Sequence, residues 1–277
     1  MTIDCGEAIT IAIANIPVSI YLGDETQRKQ LSEKYDKFFS DEQAIFHVYI
    51  KTQPVQVSSN FMAEVKFHYD SDGNKIRFEL PGFSGYIDLL QGQAELISSK
   101  YHIVETTDYM LRILLALLVF KKGGILFHGA GIIRHRKTYL FFGHSGSGKS
   151  TVARLSPQDI VINDDLVVLM PVDNKWIVFA TPFWNPSQVR PVPDSAPLTG
   201  LYRLVQDKQV YLESIAGGQA LAELIANIPV IPDNPLMNSE LFVRGRQILE
   251  EIPIYRLHFL PNDSFWQVVE EASIKVG

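Results

Sequence analysis

The chain reads as a mixed α/β protein in two parts: a β-rich N-terminal domain over residues 1–103, and a second domain over residues 104–277 built round a glycine-rich loop. Three observations carry that reading. Up to about Tyr101 the apolar residues come in short runs separated by turn formers, the pattern of strands joined by hairpins. From Thr106 the pattern changes to a near-continuous Leu- and Ile-rich run, Tyr109–Phe120, which marks a helix buried between layers. Beyond it, helical and extended segments mix without the strict βαβ alternation of a doubly wound sheet.

In the N-terminal part, Ala8–Ala14 and Val18–Leu22 read as strands. Asp24–Phe39 is charged with apolar residues at helical spacing, so a surface helix is expected there. Strands are predicted again at Ile45–Lys51, Ala63–Tyr69, Lys75–Leu80, Ser84–Leu89 and Ala94–Ile97. The groups Ser71-Asp72-Gly73-Asn74 and Pro81-Gly82 supply the turns between three of them. This half carries no recognisable chemistry, no internal repeat and no low-complexity tract.

In the second part, Thr106-Thr107-Asp108 offers a cap before the Tyr109–Phe120 helix, and Gly123-Gly124 ends it. Strands follow at Ile125–His128 and around Ile132-Ile133. A basic turn at Arg134–Lys137 then leads to the strand Thr138–Phe142. A short helix over Lys149–Leu155 is stopped by Ser156-Pro157. Ile160–Ile162 is a strand, as are Val167–Met170 and Trp176–Ala180, which share the turn Asp173-Asn174. Thr181–Pro197 is rich in proline and polar residues and reads as a loop. Leu201–Val205 and Gln209–Glu213 look like a hairpin, and helices are expected at Gly218–Asn227 and Asn238–Glu251. A strand at Ile254–Phe259 and a helix over Ser264–Ala272 close the described pattern.

The chain has 277 residues, 46% of them hydrophobic and 11% aromatic, enough to bury one large core or two modest ones. A net charge of -6, with no cluster of Lys and Arg, argues against a nucleic-acid-binding face, because affinity for a phosphate backbone comes from clustered cations. Cys5 is the one cysteine, which excludes an internal disulfide and a cysteine-built zinc site. No signal-peptide pattern opens the chain, and Met110–Phe120 is too short to cross a bilayer, so no membrane association and a cytoplasmic location are expected.

The chemistry sits in Gly143-His144-Ser145-Gly146-Ser147-Gly148-Lys149-Ser150, which fits the phosphate-binding pattern G-x-x-x-x-G-K-[ST] at every fixed position and follows the apolar run Tyr139–Phe142. Such a loop turns successive backbone N–H groups onto phosphate oxygens, and the helix behind it offers an N-terminus that favours negative charge. Gly143 through Thr151 are the expected nucleotide contacts; Lys149 reaches the β- and γ-phosphates and Ser150 a magnesium ion, so ATP and Mg are the expected ligands. The pattern places no demand on His144. Asp164 and Asp165 end the next apolar strand, where a second catalytic element must return. Neighbouring side chains on a strand point opposite ways, so two tasks are expected: Asp164 as general base and Asp165 as metal ligand, with the reverse left open. A solvated Asn163-Asp164-Asp165 turn is the competing reading. His128, followed by Gly129, either faces the γ-phosphate, or orients Asp164, or is a core histidine. Arg134, Arg136, Arg190, Arg244 and Arg246 are candidate phosphate or substrate contacts, and Trp176 and Trp184 candidate stacking partners for adenine.

The order His128-Gly129, Gly143–Ser150, Asp164-Asp165 resembles the kinase domain of bacterial HPr kinase/phosphorylase, whose core is shared with ATP-dependent phosphoenolpyruvate carboxykinase. The likeness spans about Gly124 to Met170, with looser echoes at Ala180–Trp184 and Ile252–Phe259. It implies a P-loop serine kinase fold in which Lys149 and Ser145 contact phosphate, Ser150 and Asp165 bind magnesium, Asp164 is the acid/base and His128 belongs to the active site. It also implies a protein or peptide substrate with an acceptor serine, and a homo-oligomer. The family's further acidic metal ligand has no counterpart between Trp176 and Arg190, and Val243-Arg244-Gly245-Arg246 is a faint echo of its phosphorolysis loop. The expected activity is transfer of a γ-phosphoryl group to a hydroxyl; the alternative is a nucleotide-binding regulatory or assembly protein with little or no kinase activity.

Overall fold

A computed structural model describes residues 7–54, 65–80, 82–184, 188–229, 234–238 and 240–274. The expected strand start at Ala63 and the Pro81 half of one expected turn lie outside the described residues, as does part of the Thr181–Pro197 loop. The protein is mixed α/β and carries two mixed sheets. It divides into two compact units, Met1–Leu118 with Val230–Asn238, and Val119–Pro229 with Ser239–Gly277.

The first unit holds a seven-stranded sheet. Its elements are β1 (Ile9–Ile13), β2 (Ile16–Leu22), α1 (Glu25–Tyr35), β3 (Phe46–Gln53), β4 (Lys66–Tyr69), β5 (Lys75–Leu80), β6 (Phe83–Asp88) and β7 (Gln93–Ser99). The order across the sheet is β1-β2-β3-β7-β6-β5-β4. β2, β3 and β7 run parallel, and α1 is the crossover between β2 and β3. The strands alternate cleanly: Phe46, Val48 and Ile50 of β3 are buried while His47 and Tyr49 are not, as a sheet with one covered face requires. Asp24 caps α1 by accepting from the Gln27 amide at 2.9 Å. α1 is less of a surface element than its charge suggests, since Gln27, Leu31 and Tyr35 are buried.

α2 (Ile103–Lys121) begins earlier than the sequence reading placed it. Thr106 and Thr107 are not caps but interior residues, both fully buried. Thr106 Oγ1 donates back to the His102 carbonyl at 2.8 Å and pairs with Ser98 Oγ at 2.6 Å, so a hydroxyl that would otherwise favour a helix end is satisfied inside the helix. The helix ends as expected. Gly123 has φ +90, its amide donates to the Phe120 carbonyl, and the Gly124 amide donates to the Val119 carbonyl at 2.9 Å, the two bonds of a Schellman motif.

The second unit holds an eight-stranded sheet. It starts with β8 (Ile125–Arg134), β9 (Lys137–Phe142), α3 (Lys149–Arg154), β10 (Ile160–Asn163), β11 (Leu166–Val172) and β12 (Lys175–Phe179). It continues with β13 (Ser195–Gln206), β14 (Tyr211–Ser214), α4 (Gly217–Ile225), α6 (Leu241–Glu251), β15 (Ile254–Phe259) and α7 (Phe265–Ile274); the short helix α5 (Pro235–Asn238) belongs to the first unit. β8 is one continuous strand, not the two expected, and pairs with β11 through its first half and with β9 through its second. β13 likewise serves β12 at its start and β9 and β15 further on. β8, β11, β12, β13 and β9 therefore close into a ring. The expected hairpin at Leu201–Glu213 does not form: β15 lies between β13 and β14, parallel to the first and antiparallel to the second. The apolar core on one side of this sheet gathers Ala130, Ile132, Tyr139, Phe141, Val152, Tyr202, Leu204, Leu257, Phe259, Phe265 and Trp266.

Candidate active site

β9, β13 and β15 run parallel, so their C-terminal ends lie side by side, where ligands of α/β sheets bind. β9 delivers Gly143–Ser150 there. Gly143, Gly146 and Gly148 all have positive φ (147, 81 and 114), a backbone path that L side chains resist. At Gly148 a Cβ would stand 2.6 Å from the Phe259 ring of β15, so that strand forms the floor of the loop. Gln206, the last residue of β13, donates to the Gly146 carbonyl at 2.9 Å and ties down the apex. Ser147 is buried with its hydroxyl lacking a hydrogen-bond partner, while His144, Ser145 and Gly146 are exposed. His144 Nδ1 donates to its neighbour's carbonyl, that of Ser145, at 2.7 Å, consistent with a position the loop pattern leaves free.

Lys149 is buried at the start of α3, and Nζ donates to the Gly143 carbonyl at 2.8 Å and the His144 carbonyl at 3.3 Å. Burial pushes its ammonium below the ordinary lysine range, and Asp165 and Asp164 hold it up in part. Ser150 and Thr151 follow on the first turn, both half-buried.

β10 pairs with β8 and breaks register between Val161 and Asn163, which turns the chain into Asp164-Asp165. This is no solvated turn: Asn163 and Asp164 are 0% and 1% exposed. Neither carboxylate oxygen of Asp164 has a hydrogen bond of ordinary geometry. Burial raises its pKa, Asp165 adds to the rise, and the nearby Ser150 hydroxyl and Val189 amide offset part of it. Asp165 is more open and meets His128 of β8, with Nε2 and Oδ1 3.0 Å apart. The pairing of Leu166 with His128 and the bond from the Gly129 amide to the Asp165 carbonyl set that distance. His128 is thus no core histidine; its side chain is 40% exposed.

Asn163, which the sequence offered only as part of a turn, organises this corner. Its Oδ1 accepts from the amides of Asp165 (2.6 Å) and Leu166 (3.0 Å), and Nδ2 donates to the carbonyls of Thr181 and Phe183 and to Thr181 Oγ1. An Asn at the end of an apolar strand, directly before a chemically useful pair, was the available signal.

Arg134, Arg136 and Arg244 do not gather at the loop. Arg134 and Arg136 lie at the hairpin tip between β8 and β9, at the opposite end of β9 from Gly143, roughly 20 Å away by strand rise. Arg134 binds Asp159 and Glu270 and lies over Trp266. Arg244 donates to the Phe120 and Gly124 carbonyls, and Arg246 pairs with Glu250. Arg190 sits 5.7 Å from the Trp184 ring centre. Trp176 is buried in β12 and packs as core.

The residues present fit a phosphate ligand with a hard divalent cation: a positive-φ glycine loop, a buried lysine, an unpartnered buried hydroxyl, and beside Ser150 a buried carboxylate whose oxygens make no hydrogen bond of ordinary geometry. Among the described residues no group of three or more His, Cys, Asp or Glu is placed to hold a metal by itself. That suits magnesium, which takes one or two protein oxygens and completes its shell with phosphate and water.

No protein-family model matches this chain, and no curated protein matches it. Among solved structures it is similar to the HPr(Ser) kinase/phosphatase from Coxiella burnetii, with 15% identity and a TM-score of 0.32, over 54% of this chain and 97% of that one. A likeness at that level assigns neither activity nor residue roles.

Proposed function

We propose that this protein is an ATP- and magnesium-dependent kinase that transfers the γ-phosphoryl group to a hydroxyl, a serine of a protein or peptide. The observation that supports it most is the pair of unlike carboxylates beside the loop: Asp164 buried next to Ser150 with no hydrogen bond of ordinary geometry, Asp165 more open and held by His128. That contrast favours the reverse of the assignment first drawn from the sequence. Ser150 and Asp164 would hold magnesium, which screens the charge on the transferring phosphate. Asp165, kept in orientation by the His128 Nε2–H, takes the proton of the acceptor hydroxyl as its oxygen bonds to the γ-phosphorus and the bond to the β-phosphate oxygen breaks, leaving ADP. Lys149 and the loop amides neutralise the phosphates, a term in which positioning and charge do most of the work.

The test is intact-mass analysis of the protein and of candidate serine-bearing peptides after incubation with Mg-ATP, beside Lys149→Ala. A gain of one phosphate that Lys149→Ala loses supports the kinase. Tight nucleotide binding with no phosphate gain on any substrate assigns the regulatory alternative instead.

A further inference from the structure

We infer that Asn163 and Thr181 form a positioning clamp that fixes the orientation of Asp165 toward His128 and couples it to the segment opening at Thr181. The inference rests on the kinase reading for its catalytic meaning, though not for its geometry. Asn163 is fully buried and spends its whole amide: Oδ1 receives the Asp165 and Leu166 amides, Nδ2 gives to Thr181 O at 3.0 Å, Thr181 Oγ1 at 3.1 Å and Phe183 O at 2.9 Å. Thr181 is buried as well, and its hydroxyl closes the loop of bonds by donating to the Leu166 carbonyl at 2.6 Å. Every bond either grips the backbone on which Asp165 stands or ties it to the Thr181–Phe183 stretch. A buried network of this kind has few alternative arrangements, because each released partner is left unpaired out of water.

The chemistry of the side chains is specific. An aspartate at 163 keeps the two accepted amides but loses both N–H donors and sets a carboxylate against the carbonyls of Thr181 and Phe183. A valine at 181 keeps the shape and loses only the hydroxyl, which deprives Asn163 Nδ2 of one acceptor and the Leu166 carbonyl of its donor. Neither residue is placed to touch substrate through its side chain; both act through Asp165.

The experiment compares wild type with Thr181→Ser, Thr181→Val and Asn163→Asp in protein labelled with 15N-histidine, the His128 resonances being assigned with His128→Gln. Ring 15N shifts report which nitrogen carries the proton and whether Nε2 keeps its partner. Binding of Mg-ADP, measured by calorimetry, serves as the control for an intact loop. Thr181→Ser is expected to match wild type, whereas Thr181→Val and Asn163→Asp shift the His128 resonances with Mg-ADP affinity held within about threefold. Where wild type turns over Mg-ATP, the same two variants lose about 10- to 100-fold in kcat with KM little changed, the size expected for a misplaced catalytic group. His128 resonances unchanged in Thr181→Val overturn the clamp, and so does loss of function in Thr181→Ser equal to that in Thr181→Val. If Asn163→Asp fails to fold, the Thr181 pair decides. Absence of turnover in wild type with the resonance shifts as expected refutes the kinase reading and leaves the clamp standing.

Discussion

Asp164 and Asp165 are neighbours in sequence and opposites in environment, and the predictions at this scale follow from that. Asp165→Asn should cut transfer by about 10²- to 10⁴-fold, the usual contribution of a positioned base, while Mg-nucleotide affinity by calorimetry stays near wild type. Asp164→Asn should instead weaken the dependence of nucleotide binding on magnesium. Burial raises the Asp164 carboxyl above 3.8, so ionising it opposes folding; the penalty is absent below the unfolded value and grows as pH rises through the folded one. Asp164→Asn is therefore expected to raise Tm at pH 7 and to lose that gain near pH 4. A Tm gain that does not shrink on acidification would sink the argument. The loop residues were legible because their pattern is local and chemically unambiguous. The contrast in environment between the aspartates was not, since it depends on Ser150 and His128, which the fold brings from two other elements.

Among the elements, those fixed by local signals were read well. β5 and β15 fall on the residues expected, and the turns at His135-Arg136 and Asp173-Asn174 carry the paired positive φ values of tight hairpins. The misses share a non-local cause. β8 looked like two strands because Gly129 and Gly131 interrupt its apolar run, yet a Cβ at 131 would stand 2.8 Å from Ile162, so the glycine answers to a neighbouring strand's packing. β13 and β14 looked like a hairpin because they are consecutive, and only the placement of β15 between them forbids it. The end of α2 gives a prediction: Gly123→Ala, at φ +90, should cost about 1 kcal/mol in chemical denaturation, whereas the same change at an exposed helical position should cost nothing.

For the whole molecule, the sequence reads as two domains divided near residue 103, while the compact units are Met1–Leu118 with Val230–Asn238 and Val119–Pro229 with Ser239–Gly277. A segment that returns from far along the chain leaves no mark in composition. No helix among the described residues is long and apolar enough to cross a membrane. All the residues assigned to nucleotide binding lie in the second unit, so Mg-ADP should slow amide exchange most at Gly143–Thr151 and Asn163–Leu166. Protection confined to the first unit would contradict the site. The Phe259 ring beneath Gly148 has a consequence for biosynthesis. The loop emerges from the ribosome before β13, the parallel neighbour of β9, and well before β15, the strand that supports it. A nascent chain ending before Ile254 would carry the full phosphate-binding motif and no cradle, so nucleotide capture would be among the last abilities the growing polypeptide acquires.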